Sequence, residues 1–147
     1  MELRKELEML TRFLPIERLL EKVSLPTEFL PEKVTSILPS ITLGGDGPVL
    51  SRLLLVTDRY LCDVQIAGTE ARNEFDLAAK RSIRDYRFAI WTEQIKEGDV
   101  VKATYDIAKI QLMHGFAALT ELAYAGSERA AWLKQVVEVV PVQLVLE

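Results

Sequence analysis

Hydrophobic and polar positions change their period along this chain: helical near the start, strand-like through the middle, helical again at the end. Leu3, Leu7, Leu10 and Leu14 recur at i, i+4, i+7 and i+11, which is one face of a helix. Pro15 interrupts it, because it disfavours a helical Leu14 and suits the first turn of a new helix. Leu19, Leu20 and Val23 then form a second short stripe. Pro26, Pro31 and Pro39 cut the following stretch into pieces, with one helical turn expected around Glu32 to Leu38. Gly44-Gly45-Asp46-Gly47-Pro48 reads as a turn or linker.

From Val49 the pattern is that of strands. Leu53 to Val56 is a short apolar run ending at Thr57-Asp58, and Tyr60, Cys62, Val64 and Ile66 then alternate with Arg59, Leu61, Asp63 and Gln65. Two strands meeting in a tight turn are expected there. Asp85 to Ile95 is a further strand in which Tyr86, Phe88 and Ile90 share a face and Trp91 lies on the other. Gly98-Asp99 is a turn signal, after which Val101, Ala103, Tyr105 and Ile107 alternate with polar residues. The apolar phase then moves to Ala108, Ile110 and Leu112, which predicts a bulge or break. Phe116 to Tyr124 is the last strand. Tyr105, Ala108 and Leu112 also fit a helix, and Phe116 to Ala125 is rich in Ala and Leu; the closely spaced turn signals favour strands.

The chain then stops at Gly126-Ser127 and starts a helix. Ser127 is the expected N-cap, with Glu128 beside the positive end of the dipole. Trp132, Leu133, Val136, Val137 and Val140 make one apolar stripe, and Pro141 ends it. A single amphipathic helix after a series of strands covers a sheet.

Composition narrows the classes of function. At 147 residues, 49% apolar and 27% charged, the chain has material for one core. A net charge of −4 gives no reason to expect nucleic-acid binding, which normally shows as a basic patch or stripe. The lone Cys62 cannot form an internal disulfide, the charged N-terminus is no signal peptide, and no run reaches the ~20 apolar residues of a membrane span. A cytoplasmic protein is expected.

No catalytic motif stands out. His114 is the only histidine, placed at a strand end, and no supporting motif builds a Ser–His–Asp triad around it. Asp58, Asp63, Glu70, Glu74 and Asp76 lack calcium-loop spacing, and Gly44 to Gly47 lacks the Lys-Ser/Thr of a phosphate loop. Cys62 is expected to be buried and inert. The best candidate is basic: Lys80, Arg81, Arg84 and Arg87, opposed locally by Asp76 and Asp85, form a possible anion- or partner-binding surface, a lipid head group included. Set against this, the same charges serve a solvated strand face that discourages edge-to-edge pairing.

Leu55-Val56-Thr57-Asp58-Arg59-Tyr60-Leu61 resembles the first hairpin of bacterial pleckstrin-homology-like (PH-like) domains, which carry an apolar run, Thr, a polar residue, Arg and a further apolar strand. Tyr105 to His114, followed by Leu122 to Gly126 and a helix with Trp132, is similar to the closing strands and Trp-bearing C-terminal helix of that superfamily. The resemblance spans Val49 to Pro141. It implies an α+β fold, a PH-like antiparallel β-sandwich or barrel capped by a C-terminal helix, here preceded by short N-terminal helices, and it implies no enzyme. Lipid-binding members use a basic cluster in the first hairpin loop; Thr57-Asp58-Arg59 carries one basic residue. The expected organisation is a helical extension over residues 1–40, a PH-like domain over 48–141 and a short tail, 142–147.

The expected function is therefore a non-enzymatic binding or scaffolding module, without cofactor, whose partner is another protein or a second copy in a homo-oligomer. The alternative is an adaptor for anionic lipid through the Lys80–Arg87 cluster. A small-ligand carrier is disfavoured by the helix plug. Five acidic and five basic residues offset one another through residue 24, so the N-terminal helices should dock on protein and not on membrane.

Overall fold

The computed structural model describes residues 9–10, 14–29, 32–45, 47–67, 70–72 and 78–142. Eight strands form two antiparallel sheets. The first sheet runs β1 (Ser36–Gly44), β2 (Gly47–Val56), β3 (Tyr60–Ala67) and β4 (Glu70–Arg72), with the two-residue β5 (Ala78–Ala79) also pairing with β3. The second runs β6 (Asp85–Glu97), β7 (Val100–His114) and β8 (Ala117–Ala125). A short helix, α1 (Ile16–Glu21), precedes the sheets and a longer one, α2 (Arg129–Val139), follows them. The fold is a β-sandwich with a helix over it.

Three side chains tie β8 across the first sheet. The Ser40 hydroxyl accepts the Ala123 amide at 3.0 Å, Arg52 Nη1 donates to the Glu121 carbonyl at 3.4 Å, and the Thr120 hydroxyl donates to the Asp63 carboxylate at 2.9 Å. The core holds Leu38, Leu53, Leu55, Cys62, Val64, Ile110, Leu122 and Tyr124, all fully buried, with both faces of the first sheet contributing. The helix closes this core with Trp132, Val136 and Val140, and the Trp132 ring stacks on Tyr124 at 5.6 Å between centroids. The expected apolar stripe is real, although Val137 stays 36% exposed. The cap differs from expectation: Glu128 and not Ser127 occupies the N-cap, and no side chain caps the helix.

The first strand is a correction. Ser36–Gly44 is β1, where a helical turn was expected around Glu32 to Leu38, and Gly44 to Gly47 is the β1–β2 turn and not a linker. The sheet thus begins before the expected boundaries at residues 40 and 48. Pro39 is compatible with a strand here because β1 is the edge of its sheet, where a missing N–H breaks no ladder bond. The hairpin built on Leu55 to Leu61 is consequently the second of the chain, β2–β3, and not the first.

The β7 strand runs without interruption through the predicted break at Ile107/Ala108; the register shifts fall at Ile95/Lys96 and at Leu112/Met113. The apolar phase changes because the outer half of β7, from Val100 to Asp106, lies beyond the core and no buried face fixes its alternation. Of the N-terminal stripes, the second is visible: α1 buries Leu19 completely, and Lys22 pairs with Glu70 at 3.2 Å. Of the first stripe, Leu3 and Leu7 lie outside the described residues, and Leu10 and Leu14 pack, partly buried, against the core.

Candidate functional site

The four basic residues singled out in the sequence do not act as one group. Lys80 and Arg81 sit on the 3-10 turn Lys80–Ser82, while Arg84 and Arg87 lie at and within the start of β6. What the structure brings to Lys80 and Arg81 is Arg59, from the β2–β3 turn. That turn is organised by Thr57, a buried residue whose hydroxyl accepts the amides of Arg59 at 3.2 Å and Tyr60 at 2.9 Å. β5 pairs Ala79 with Tyr60, and the Lys80 amide donates to the Arg59 carbonyl at 2.7 Å, which fixes the two basic segments side by side.

Together with Asp58, Tyr60, Ala79 and Pro141, the three cations line a polar cavity of about 530 Å³. Neither Arg84 nor Arg87 lines it. Asp58 is its one acidic group, 3.9 Å from Arg59 Nε, with both side chains about four-fifths exposed. A pair so exposed contributes little to stability. The cavity can hold a small anion. Sequence reasoning missed Arg59 because only the two-residue β5 brings Lys80 to it, and two alanines carry no strand signal.

A second feature is the outer edge of β6, which pairs with no further strand among the described residues. Arg129 Nη1 lies 3.1 Å from the Trp91 carbonyl and 3.2 Å from the Ile107 carbonyl, its register partner. One guanidinium nitrogen reaches both oxygens only if Trp91 and Ile107 are a hydrogen-bonded pair of the ladder, since otherwise the two carbonyls point away from each other. Phe88, Ile90 and Thr92 then direct their backbone N–H and C=O groups to the open side of the sheet. At Tyr86 the outward amide is already taken, by the Asp85 carboxylate at 2.8 Å. The open stretch therefore begins at Phe88.

Phe88 and Ile90 project on the same side of the sheet as the buried Ile110 and Ala108, with which they are in register, yet they are 53% and 57% exposed. The two ends of the helix α2 are tied to this strand by side chains. Its first residue holds the Trp91 carbonyl, and beyond its last the Val140 carbonyl accepts the Tyr86 hydroxyl. Its direction is therefore antiparallel to β6 over Tyr86 to Trp91, while its body packs against β7, β8 and β1. Sequence reasoning placed Phe88 and Ile90 on the apolar face correctly; it had no means of showing that this face is left uncovered.

The remaining candidates have structural surroundings. His114 Nδ1–H donates to the Ser82 carbonyl at 2.8 Å, joining the β7–β8 turn to the segment before β6. Cys62 is buried, and burial, reinforced by the Asp63 charge, pushes its thiol up to about 12. Asp58, Asp63 and Glu70 have separate partners in Arg59, Thr120 and Lys22, and Glu74 and Asp76 lie outside the described residues. Among the described residues no group of three His, Cys, Asp or Glu side chains can hold a metal, and no helix is long and apolar enough to cross a membrane. No family model matches the chain, and no match was found among curated proteins or solved structures.

Proposed function

We propose that this chain is a non-enzymatic protein-binding module of the PH-like type, which takes an extended segment of a partner along the open edge of β6 beside α2. One observation carries the reading: the backbone groups of Phe88, Ile90 and Thr92 face outward next to apolar side chains that the fold leaves more than half exposed. An added strand satisfies the first and covers the second, which is how sheet edges recognise extended peptides. The PH-like reading rests on the sandwich of two antiparallel sheets followed by a Trp-bearing helix.

Selection of peptides from a random displayed library on the intact chain tests it, with amide shifts mapping the site. Extended binders that shift residues 87–95 and lose affinity for Ile90→Pro support the reading, because Pro removes an edge-facing donor and leaves the β7 ladder bonded. Binders that map elsewhere, or are indifferent to Ile90→Pro, overturn it.

The Arg59–Lys80–Arg81 cavity favours a second reading, an adaptor for an anionic ligand such as a lipid head group. It predicts salt-sensitive sedimentation with anionic vesicles that is lost in Arg59→Ala/Arg81→Ala. The run Lys80 to Arg87 as a whole offers less, because its last two cations stand apart from the cavity.

A further inference from the structure

We infer that the segment taken up by β6 is β6 of a second copy of this chain, paired antiparallel about a two-fold axis at Ile90. This rests on the proposal that the β6 edge is the binding surface, and it names the occupant. The outward groups of Ile90 make it a hydrogen-bonded pair with Ile90 of the second copy, and each Phe88 forms another with the opposite Thr92. The residues between them, on the other face, become the closer non-hydrogen-bonded pairs.

Over Arg87 to Glu93, charge and shape favour this register; beyond that stretch Asp85 stands opposite Ile95 and Arg84 opposite Lys96. About Ile90, each Arg87 stands opposite Glu93 of the other copy, so one contact is made twice. Each Trp91 stands opposite Ala89, a large ring over a small side chain. On the face of Phe88 and Ile90, the two copies place four apolar side chains next to one another across the junction. Moving the axis by one residue either way, or by two to Thr92, destroys this. About Ala89, Asp85 faces Glu93 and Arg87 faces Trp91; about Trp91, Glu93 faces Ala89 and Arg87 faces Ile95. About Thr92, Trp91 faces Glu93 and Phe88 faces Lys96. Like charges directly opposed are unfavourable, and apolar residues opposed to charges stay wet.

The edge also lacks the usual protection over this stretch. Protective edges carry Pro, bulges or charges that deter pairing. Between Phe88 and Thr92 there is no charge, no Pro and no bulge; the register shift lies further on, at Ile95/Lys96, and the Asp85 carboxylate blocks the amide of Tyr86 at the other end. Both obstacles sit outside the segment that the Ile90 axis uses.

The test is sedimentation equilibrium of the full chain with a charge-swap cycle. Wild type should dimerise in the micromolar range. Arg87→Glu and Glu93→Arg should each weaken the dimer by at least about tenfold, since each reversal acts at two symmetry-related pairs. The double variant Arg87→Glu/Glu93→Arg should recover most of that loss. These side chains are exposed, so all three variants should keep the wild-type melting temperature when monomeric. A wild-type chain that stays monomeric to high concentration overturns the inference, and so does a dimer indifferent to the single reversals. Peptide selection on such a monomer still tests the edge itself, so the two proposals fail separately.

Discussion

The indole N–H of Trp132 donates to the Pro39 carbonyl oxygen at 2.8 Å, joining the last helix to the first strand across 93 positions. Both groups are buried, so the bond forms away from water, and the ring above it stacks on Tyr124. Trp132→Ala should cost about 3–5 kcal/mol, the usual figure for removing a large core aromatic. Trp132→Phe keeps most of the apolar area but leaves the Pro39 carbonyl short of a donor, and should cost about 1–3 kcal/mol. Urea denaturation of both variants checks the order; a Trp132→Phe variant as stable as wild type would mean that the hydrogen bond contributes nothing.

Leu19 is fully buried although it comes from the short helix α1 ahead of the sheets. A helix of six residues does not hold itself together in water, so its order comes from packing. Leu19→Ala should therefore cost about 2–5 kcal/mol, while its neighbour Arg18, on the exposed side, should tolerate alanine within about 0.5 kcal/mol. Thermal melts of the two variants separate a docked segment from a loose one.

The Cys62 thiol gives a pH signature. Its ordinary value of 9.0 applies to the unfolded chain, and burial pushes it up to about 12 in the fold. Above pH 9 the unfolded state loses a proton that the folded state keeps, so stability falls as pH rises from about 9 towards 12. Cys62→Ala should flatten that alkaline limb relative to wild type. The same burial predicts that a soluble thiol reagent at pH 8 modifies the native protein only at the rate at which it opens.

Ile90→Pro offers a test of edge geometry independent of any partner. Proline in a central strand costs several kcal/mol through the lost ladder bond, whereas on an edge with its nitrogen outward it removes nothing from the ladder. The variant should lose less than about 2 kcal/mol, and Trp91→Pro, whose N–H bonds to Ile107, should lose more than about 3 kcal/mol. Comparable losses at the two positions would reverse the assignment of which residues face the open side.

Much of the fold is legible in the residues where one face is buried and the other wet. Tyr60 to Ile66 and the Trp132–Val140 stripe report their environment through period alone, whereas Asp85 to Ile95 alternates although both of its faces are exposed. β1 is hidden because Pro39 interrupts its pattern, and because its run Leu38 to Ile41 is buried throughout, which leaves no polar phase to read. β5 is hidden for the opposite reason: its pairing is dictated by the neighbouring β3, not by its own two alanines. The basic cavity inherits that obscurity. Proximity in sequence pointed to Arg84 and Arg87, whereas the partner that completes the cavity, Arg59, lies 21 positions before Lys80.

The seam between β1 and β8 has a consequence for synthesis. Ser40 meets the Ala123 amide 83 positions later, so the outer edge of β1 has no neighbour until nearly the whole chain has been made. At ordinary translation speeds that interval is roughly 4–17 s, long enough for an apolar edge to meet another nascent chain. Pro39 sits in the middle of that edge and offers no N–H to a stray strand. A residue that looks like a defect in a β-strand is, for the ribosome-bound chain, a guard against joining the wrong neighbour.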